Sequence, residues 1–264
     1  MAEESASSSE KPLISVIVPA YNCANTIGRL LEALLQNSYK NIEVLVGDNA
    51  SLDSTAQEIA KYKDHPRVRV FSSTYNRGAG ALRNWLIREA KGEYIALQDA
   101  DDLFREDRFN KQIEAFEQNS VDVVGTGARL VNLCGERWGS IIPLERPTVM
   151  SWWLQRSMVH ASVMIRRSAI KYAQYAEKSS VGEDYYFLTQ LYLQGAVFMN
   201  IPEEIYFYYI ERERLKKWSW QRFLKVLGAK FQIAQLFPVG PRYFFFFVNV
   251  VITTASYLRQ KINR

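Results

Sequence analysis

Gly92-Glu93-Tyr94-Ile95-Ala96-Leu97-Gln98-Asp99-Ala100-Asp101-Asp102 is the stretch of this 264-residue chain that decides the fold. Tyr94 to Leu97 is a short apolar run of strand-forming residues, and Asp99, Asp101 and Asp102 crowd the four positions that close the stretch. Carboxylates gathered in this way repel and raise one another's pKa unless a cation or bound hydroxyls offset them. At the carboxyl end of a central parallel strand, where open α/β sheets hold their ligands, the fitting cation is a metal with hard oxygen ligands. The alternative is a solvated turn in which Asp102 caps the next helix.

Upstream, Leu13 to Val18 is a β-branched run closed by Pro19, and it reads as a buried first strand. Ile27, Leu30, Leu31, Leu34 and Leu35 then recur at helical spacing, with Asn22 or Asn25 as the cap. Ile42 to Val46 is a second strand, Asp53-Ser54-Thr55 opens a second helix, and Val68 to Phe71 is a third strand. The glycine turn Asn76-Arg77-Gly78-Ala79-Gly80 leads into a helix over 81–90, ahead of the strand with the acids. Strand and helix in alternation predict parallel βαβ units in an open, Rossmann-like sheet.

Beyond the acids the spacing predicts a helix over 105–118, strands over 121–125, 161–165 and 205–210, and helices at 151–156 and after Glu183-Asp184. Residues 1–11 are Ser/Glu/Ala-rich without an apolar run, and are expected to be disordered. The main domain is then expected over 12–210.

Hydrophobic residues at 48% and charged ones at 23% exclude a wholly disordered chain. Cys23 and Cys134 are far apart, which argues for a reducing compartment and against a disulfide framework. With only His65 and His160, any metal must rest mainly on carboxylates. From Glu211 onward eleven basic residues face two acidic ones, so 211–264 carries +9 of an overall +5 and the remainder carries −4. A basic, aromatic tail points to an anionic surface, lipid or nucleic acid. Trp218 to Phe237 is amphipathic, and Tyr243 to Leu258 is apolar but too short to span a bilayer. Both fit helices lying in a membrane interface, so the expected partner is an anionic membrane and not nucleic acid. A core-packing or dimerising helix is the alternative.

Parallel strands deliver their carboxyl-terminal loops to one edge. Pro19 and Tyr21, Asp48, the turn with Arg77 and Arg83, and the acids Asp99, Asp101 and Asp102 can therefore face one ligand. Asp48 can accept from a base N–H, Tyr21 can lie against its ring, and an acid can hold ribose hydroxyls. Asp101, through Mg²⁺ or Mn²⁺, can bridge a diphosphate, with Asp102 as a further ligand and the arginines adding positive charge. This set suits a nucleoside diphosphate. The Gly-x-Gly-x-x-Gly dinucleotide fingerprint and the Gly-x-x-x-x-Gly-Lys-Ser/Thr phosphate loop are both missing.

Ser15 to Asn22, Asp48-Asn49-Ala50-Ser51-Leu52-Asp53, Asn76-Arg77-Gly78, Ala81-Leu82-Arg83-Asn84, Gly92 to Ile95, Asp99-Ala100-Asp101-Asp102 and Gly182-Glu183-Asp184 together resemble the family 2 glycosyltransferases of the GT-A fold. The resemblance covers about Leu13 to Tyr209. It implies inverting, metal-dependent transfer from a nucleotide sugar, usually a UDP-sugar, to an acceptor hydroxyl. By the family pattern Asp48 contacts the base, Asp99 the ribose region and Asp101 the metal, while Asp184 is the general base with Glu183 its neighbour. Many members follow with Tyr-Arg and then a histidine, where this chain reads Tyr208-Tyr209-Ile210-Glu211-Arg212, so that Arg212 or Arg214 would have to substitute. His160 sits where members often carry a similar segment near the donor sugar. The Gln-x-x-Arg-Trp motif of processive synthases is absent, which favours single addition. The acceptor is expected to be a surface polysaccharide or lipid-linked glycan, handled from the cytoplasmic face of the cell membrane. A nucleotidyltransferase, or a non-catalytic nucleotide-binding or scaffold protein, are the competing readings.

Overall fold

The sheet grows outward from its most apolar strand. The computed structural model describes residues 11–153, 157–177, 181–211 and 219–262. Strand β1 (Ile14–Ala20) is followed by α1 (Ala24–Gln36), β2 (Ile42–Asp48), α2 (Thr55–Ala60), β3 (Val68–Ser72), α3 (Ala79–Glu89) and β4 (Tyr94–Leu97), the alternation expected. Ile14, Val16, Ile17 and Val18 of β1 are all fully buried, because helices cover both faces of the sheet. Strand β1 pairs in parallel with β2 and β4, and β2 with β3. The chain steps from β1 out to β2 and β3, then returns to the far side of β1 as β4. That reversal creates a switch-point crevice at the carboxyl ends of β1 and β4.

Helix α1 is capped from outside its own sequence. It begins after Cys23, and Asp53 Oδ2 accepts from Ala24 N at 3.2 Å. Asn22, expected as a cap, sits at φ 49° and accepts from Leu52 N instead.

The second half abandons the parallel pattern. It comprises β5 (Leu103–Phe104), α4 (Arg108–Gln118), β6 (Val123–Val131), β7 (Arg137–Ile141), α5 (Val149–Trp153), β8 (Met164–Arg166), α6 (Arg167–Ile170), α7 (Glu183–Leu193) and β9 (Phe198–Tyr209). Strand β8 runs antiparallel to both β4 and β6, β9 lies parallel to β6, and β5 closes the edge antiparallel to β9. The strand expected from Ala161 starts only at Met164. Ser162 Oγ donates to Val159 O and accepts from Thr126 N, which holds His160–Ser162 in a 3-10 turn. The strand expected from Ile205 starts at Phe198, and its pairing with β6 slips between Thr126 and Gly127, opposite Pro202. Proline cannot donate to the ladder, so the irregularity falls there.

Two C-terminal helices follow, α8 (Trp220–Gln235) and α9 (Val239–Ile262). Ser219 caps α8 by accepting from Arg222 N at 3.1 Å. Phe223 meets Tyr257, Lys230 meets Asn249 and Phe237 stacks on Phe245, so the helices run antiparallel. Ile233, Ala234, Phe237 and Phe245 join Leu188, Leu191 and Trp152 in one core cluster. Each of the larger aliphatic and phenylalanine side chains among them contributes about 1.5–3 kcal/mol. Lys230 is buried between the helices, and its burial pushes the ammonium down to about 8. The outward faces carry Trp220, Leu224 and Phe231 on α8 and Tyr243, Phe247, Val251 and Leu258 on α9, all exposed. Among the described residues no helix is long and apolar enough to cross a membrane.

Candidate active site

The register Ala20↔Asp48 and Ile17↔Leu97 brings the ends of β1, β2 and β4 to one edge. Pro19, Tyr21, Asn49, Arg83, Asp99 and Asp101 line a cavity of about 670 Å³ there. Asp48, expected to contact the base, ends β2 almost wholly buried and is not among the residues lining the cavity; its carboxylate accepts from Ser51 N at 3.3 Å. Asn49, which the sequence did not single out as a contact, faces the cavity. Its amide donates to Asn76 Oδ1 and accepts from Arg77 N, each at 3.0 Å, so the glycine turn is tied to the end of β2. The Arg77 side chain is not among those lining the cavity. Its Nε donates to Ser73 Oγ, and the guanidinium lies over Tyr75 and Trp85 at 5.2 and 5.0 Å.

The acids divide into two groups. Asp99 and Asp101 face the cavity. Arg83 donates to Asp99 at 2.7 Å, reaches Glu183 at 4.0 Å and lies over the Tyr175 ring, so one buried cation spans both acidic motifs. Asp102, expected as a metal ligand, is fully buried and turned inward. Its two oxygens are occupied by β9: Tyr206 O–H donates to one at 2.9 Å and Tyr209 N to the other at 2.8 Å. Burial, with Asp99 and Asp101 nearby, pushes its pKa up to about 9 despite those donors. Beneath it Arg108, also fully buried, donates to Gln98 Oε1, Leu97 O and Gln112 Oε1. Gln98 in turn donates to Asp102 O at 3.2 Å, which fixes the loop carrying the acids.

A metal at this edge has a limited donor set. Among the described residues no three His, Cys, Asp or Glu side chains gather to hold an ion. Asp102 is turned away and Asp99 is engaged by Arg83, whereas Asp101 lines the cavity at the end of β4, where its carboxylate could hold a cation. Magnesium-type ions often accept one or two carboxylates and complete their shell with substrate phosphate and water, so the residues fit an ion that arrives with a diphosphate.

The Glu183-Asp184 pair opens α7 as expected, behind Gly182 at φ 76°. Asp184 accepts from Tyr185 N at 2.8 Å and, with Asp99, His160, Met158 and Tyr208, lines a second cavity of about 510 Å³. Burial, then the neighbouring Asp184 charge, pushes the Glu183 carboxyl up. His160 Nε2 shares a 2.8 Å hydrogen bond with the Tyr175 hydroxyl. Burial and the Arg83 charge push the imidazole down, which favours its neutral form. Arg212 and Arg214 lie outside the described residues.

An open α/β sheet with acids at its switch point and flanking helices is the architecture of GT-A glycosyltransferases, and solved structures agree. S. aureus TarS 1-349 in complex with UDP-GlcNAc superposes with a TM-score of 0.69 over 84% of this chain and 65% of that one; at 20% identity the likeness concerns the fold. Residues 15–172 match the family model for glycosyl transferase family 2. The putative glycosyltransferase EpsE of Bacillus subtilis (strain 168) is 31% identical over 202 residues, 74% of this chain and 72% of EpsE. The UDP-Glc:alpha-D-GlcNAc-diphosphoundecaprenol beta-1,3-glucosyltransferase WfaP of Escherichia coli is 39% identical over 109 residues, 41% of this chain and 43% of WfaP. The chain belongs to glycosyl transferase family 2 and is a glycosyltransferase.

Proposed function

We propose that this protein moves a sugar, with inversion, from a UDP-sugar to a hydroxyl of a lipid-linked or polysaccharide acceptor. The observation that carries the reading is the meeting of Asp99 and Asp101 with Asp184 across two cavities that share Asp99. The names of relatives support the donor and acceptor classes: WfaP uses UDP-Glc and a diphosphoundecaprenol-linked sugar, and TarS binds UDP-GlcNAc.

In this reading Tyr21 lies against the base, Asp48 accepts from a base N–H and Asp99 holds the ribose region. Asp101 would hold Mg²⁺ or Mn²⁺, which when bound screens the charge gathering on the departing diphosphate. Asp184 takes the proton of the acceptor hydroxyl as its oxygen attacks the anomeric carbon, opposite the bond to the diphosphate. That bond breaks, the glycosidic bond forms on the other face, and UDP leaves. Asp102 keeps the acid loop in place from behind. The test is UDP release from a panel of UDP-sugars in the presence of membrane extracts that carry lipid-linked sugars. Acceptor-dependent release, arrested by chelating divalent metal, is expected; no release from any donor sinks the reading.

The reading includes an anionic membrane as the place of work. The exposed aromatic faces of α8 and α9, together with the basic composition of the sequence from Glu211 onward, support it. Deleting the helices would also strip Ile233, Ala234, Phe237 and Phe245 from the core, so a surface change is the cleaner probe. Phe247→Glu is expected to reduce sedimentation with phosphatidylglycerol vesicles without lowering Tm. Undiminished sedimentation would remove this face from contact with lipid.

A further inference from the structure

A third cavity, of about 620 Å³, lies between the end of β9 and the first turns of α8. Asp99 and Asp101 line it together with Arg222 and Lys225 of α8. Neither cation lines the cavity at the ends of β1 and β2, where the nucleoside would sit. The third cavity shares Asp99 and Tyr208 with the one that holds Asp184, and Asp99, Asp101, Tyr209 and Ile210 with the one where the nucleoside would sit, so it adjoins both. Helix α8 is fixed at this place: a Cβ at Gly182 would meet that of Ala229 at 3.0 Å, so α8 packs directly on the turn that carries Glu183 and Asp184.

The same helix has an apolar outer edge. Gln221, Arg222 and Lys225 share the side facing the cavity. At about 100° per residue, Trp220, Leu224 and Phe231 form the adjoining stripe. All three are about half exposed: 57%, 50% and 49%. From the inside outward the order is therefore a carboxylate base, two cations, then an apolar strip. A sugar, an anionic linkage and a hydrocarbon chain have the complementary order.

We propose that Arg222 and Lys225 bind the diphosphate of a prenyl-diphosphate-linked acceptor, and that Trp220, Leu224 and Phe231 seat the first part of its chain. This rests on the glycosyltransfer reading above and gives the acceptor its own subsite. Guanidinium and ammonium groups make charge-assisted hydrogen bonds to phosphate, so an acceptor without the anion loses that hold while keeping its place near Asp184.

The test is calorimetric titration of the full chain with farnesyl diphosphate, farnesol, inorganic diphosphate and short-chain phosphatidylglycerol, each in the presence of saturating UDP and Mn²⁺. Farnesyl diphosphate is expected to bind without displacing UDP and at least about tenfold more tightly than the other three. Lys225→Glu and Arg222→Glu are each expected to weaken it about tenfold or more while the affinity for UDP stays unchanged, which also reports that the variants fold. Displacement of UDP, or loss of UDP affinity in the variants, would assign the two cations to the donor and overturn the proposal. Equal binding of farnesol would leave only the apolar strip, and equal binding of phosphatidylglycerol would make the site one for bulk lipid headgroups; either result overturns it. If the unaltered protein fails to bind UDP, the underlying glycosyltransfer reading fails and this subsite falls with it.

Discussion

Asp184→Asn is expected to lower kcat about a thousandfold, a general-base loss, while UDP binds as before. Asp184 lines the second cavity and not the one bounded by Pro19, Tyr21 and Asn49, so removing its charge leaves the nucleotide contacts in place. Asparagine preserves the shape and can still accept from Tyr185 N, so the turn at Gly182 keeps its geometry. What it cannot do is take a proton from an attacking hydroxyl. The measurement is kcat with saturating donor, beside the Kd for UDP. Unchanged turnover would remove Asp184 from the base role, and lost UDP binding would place it in the donor site.

Arg83→Met is expected to damage both stability and turnover. The guanidinium is buried and faces Asp99 at 2.7 Å and Glu183 at 4.0 Å. Without it two carboxylates oppose each other across a poorly solvated space. Removing one partner from a fully buried pair costs roughly 3–5 kcal/mol. Asp99 is 31% exposed in its side chain, so about 2–3 kcal/mol is the better expectation here. Turnover should fall with it, because Asp99 and Asp184 line the same cavity and the repulsion between Asp99 and Glu183 moves both. Arg83→Lys should recover stability only in part, since an ammonium cannot span both acids with the guanidinium's fork. Thermal unfolding read beside kcat/KM decides it. An unchanged Tm for Arg83→Met would show that the two acids do not depend on this cation.

Much of the first half was legible because its physics is local. Parallel strands buried on both faces must be apolar throughout, and β1 and β4 announce themselves in that way. Asp99 and Asp101 could be expected at the switch point because they directly follow such a strand, and they line the cavity there. Asp102 could not be separated from them. The partners that turn it inward, Tyr206 and Tyr209, lie more than a hundred residues along the chain. Arg77 illustrates the same limit, since nothing in Asn76-Arg77-Gly78 says that Trp85 and Tyr75 will take up its guanidinium.

In the second half the signals themselves were weak. Strand β8 is three residues long behind a serine-held turn, and β9 contains a proline. Their strand character was legible, but their bounds and partners were not, since β8 pairs antiparallel with β4 and β6 and β9 runs parallel to β6. The amphipathic period of α8 was plain and α9 read only as an interrupted apolar stretch, and the sequence could not say which face the domain would cover. Nothing in the sequence around Arg222 and Lys225 shows that they line a cavity with Asp101.

The most direct measurement is calorimetric titration of UDP with and without Mn²⁺, on the unaltered chain and on Asp101→Ala. UDP is expected to bind with Mn²⁺ present, to weaken at least about tenfold without it, and to lose the metal dependence in the variant, as expected if Asp101 holds the metal at the diphosphate. Failure to bind UDP under any of these conditions, or an affinity indifferent to both the metal and Asp101, would contradict a donor site at the end of β4.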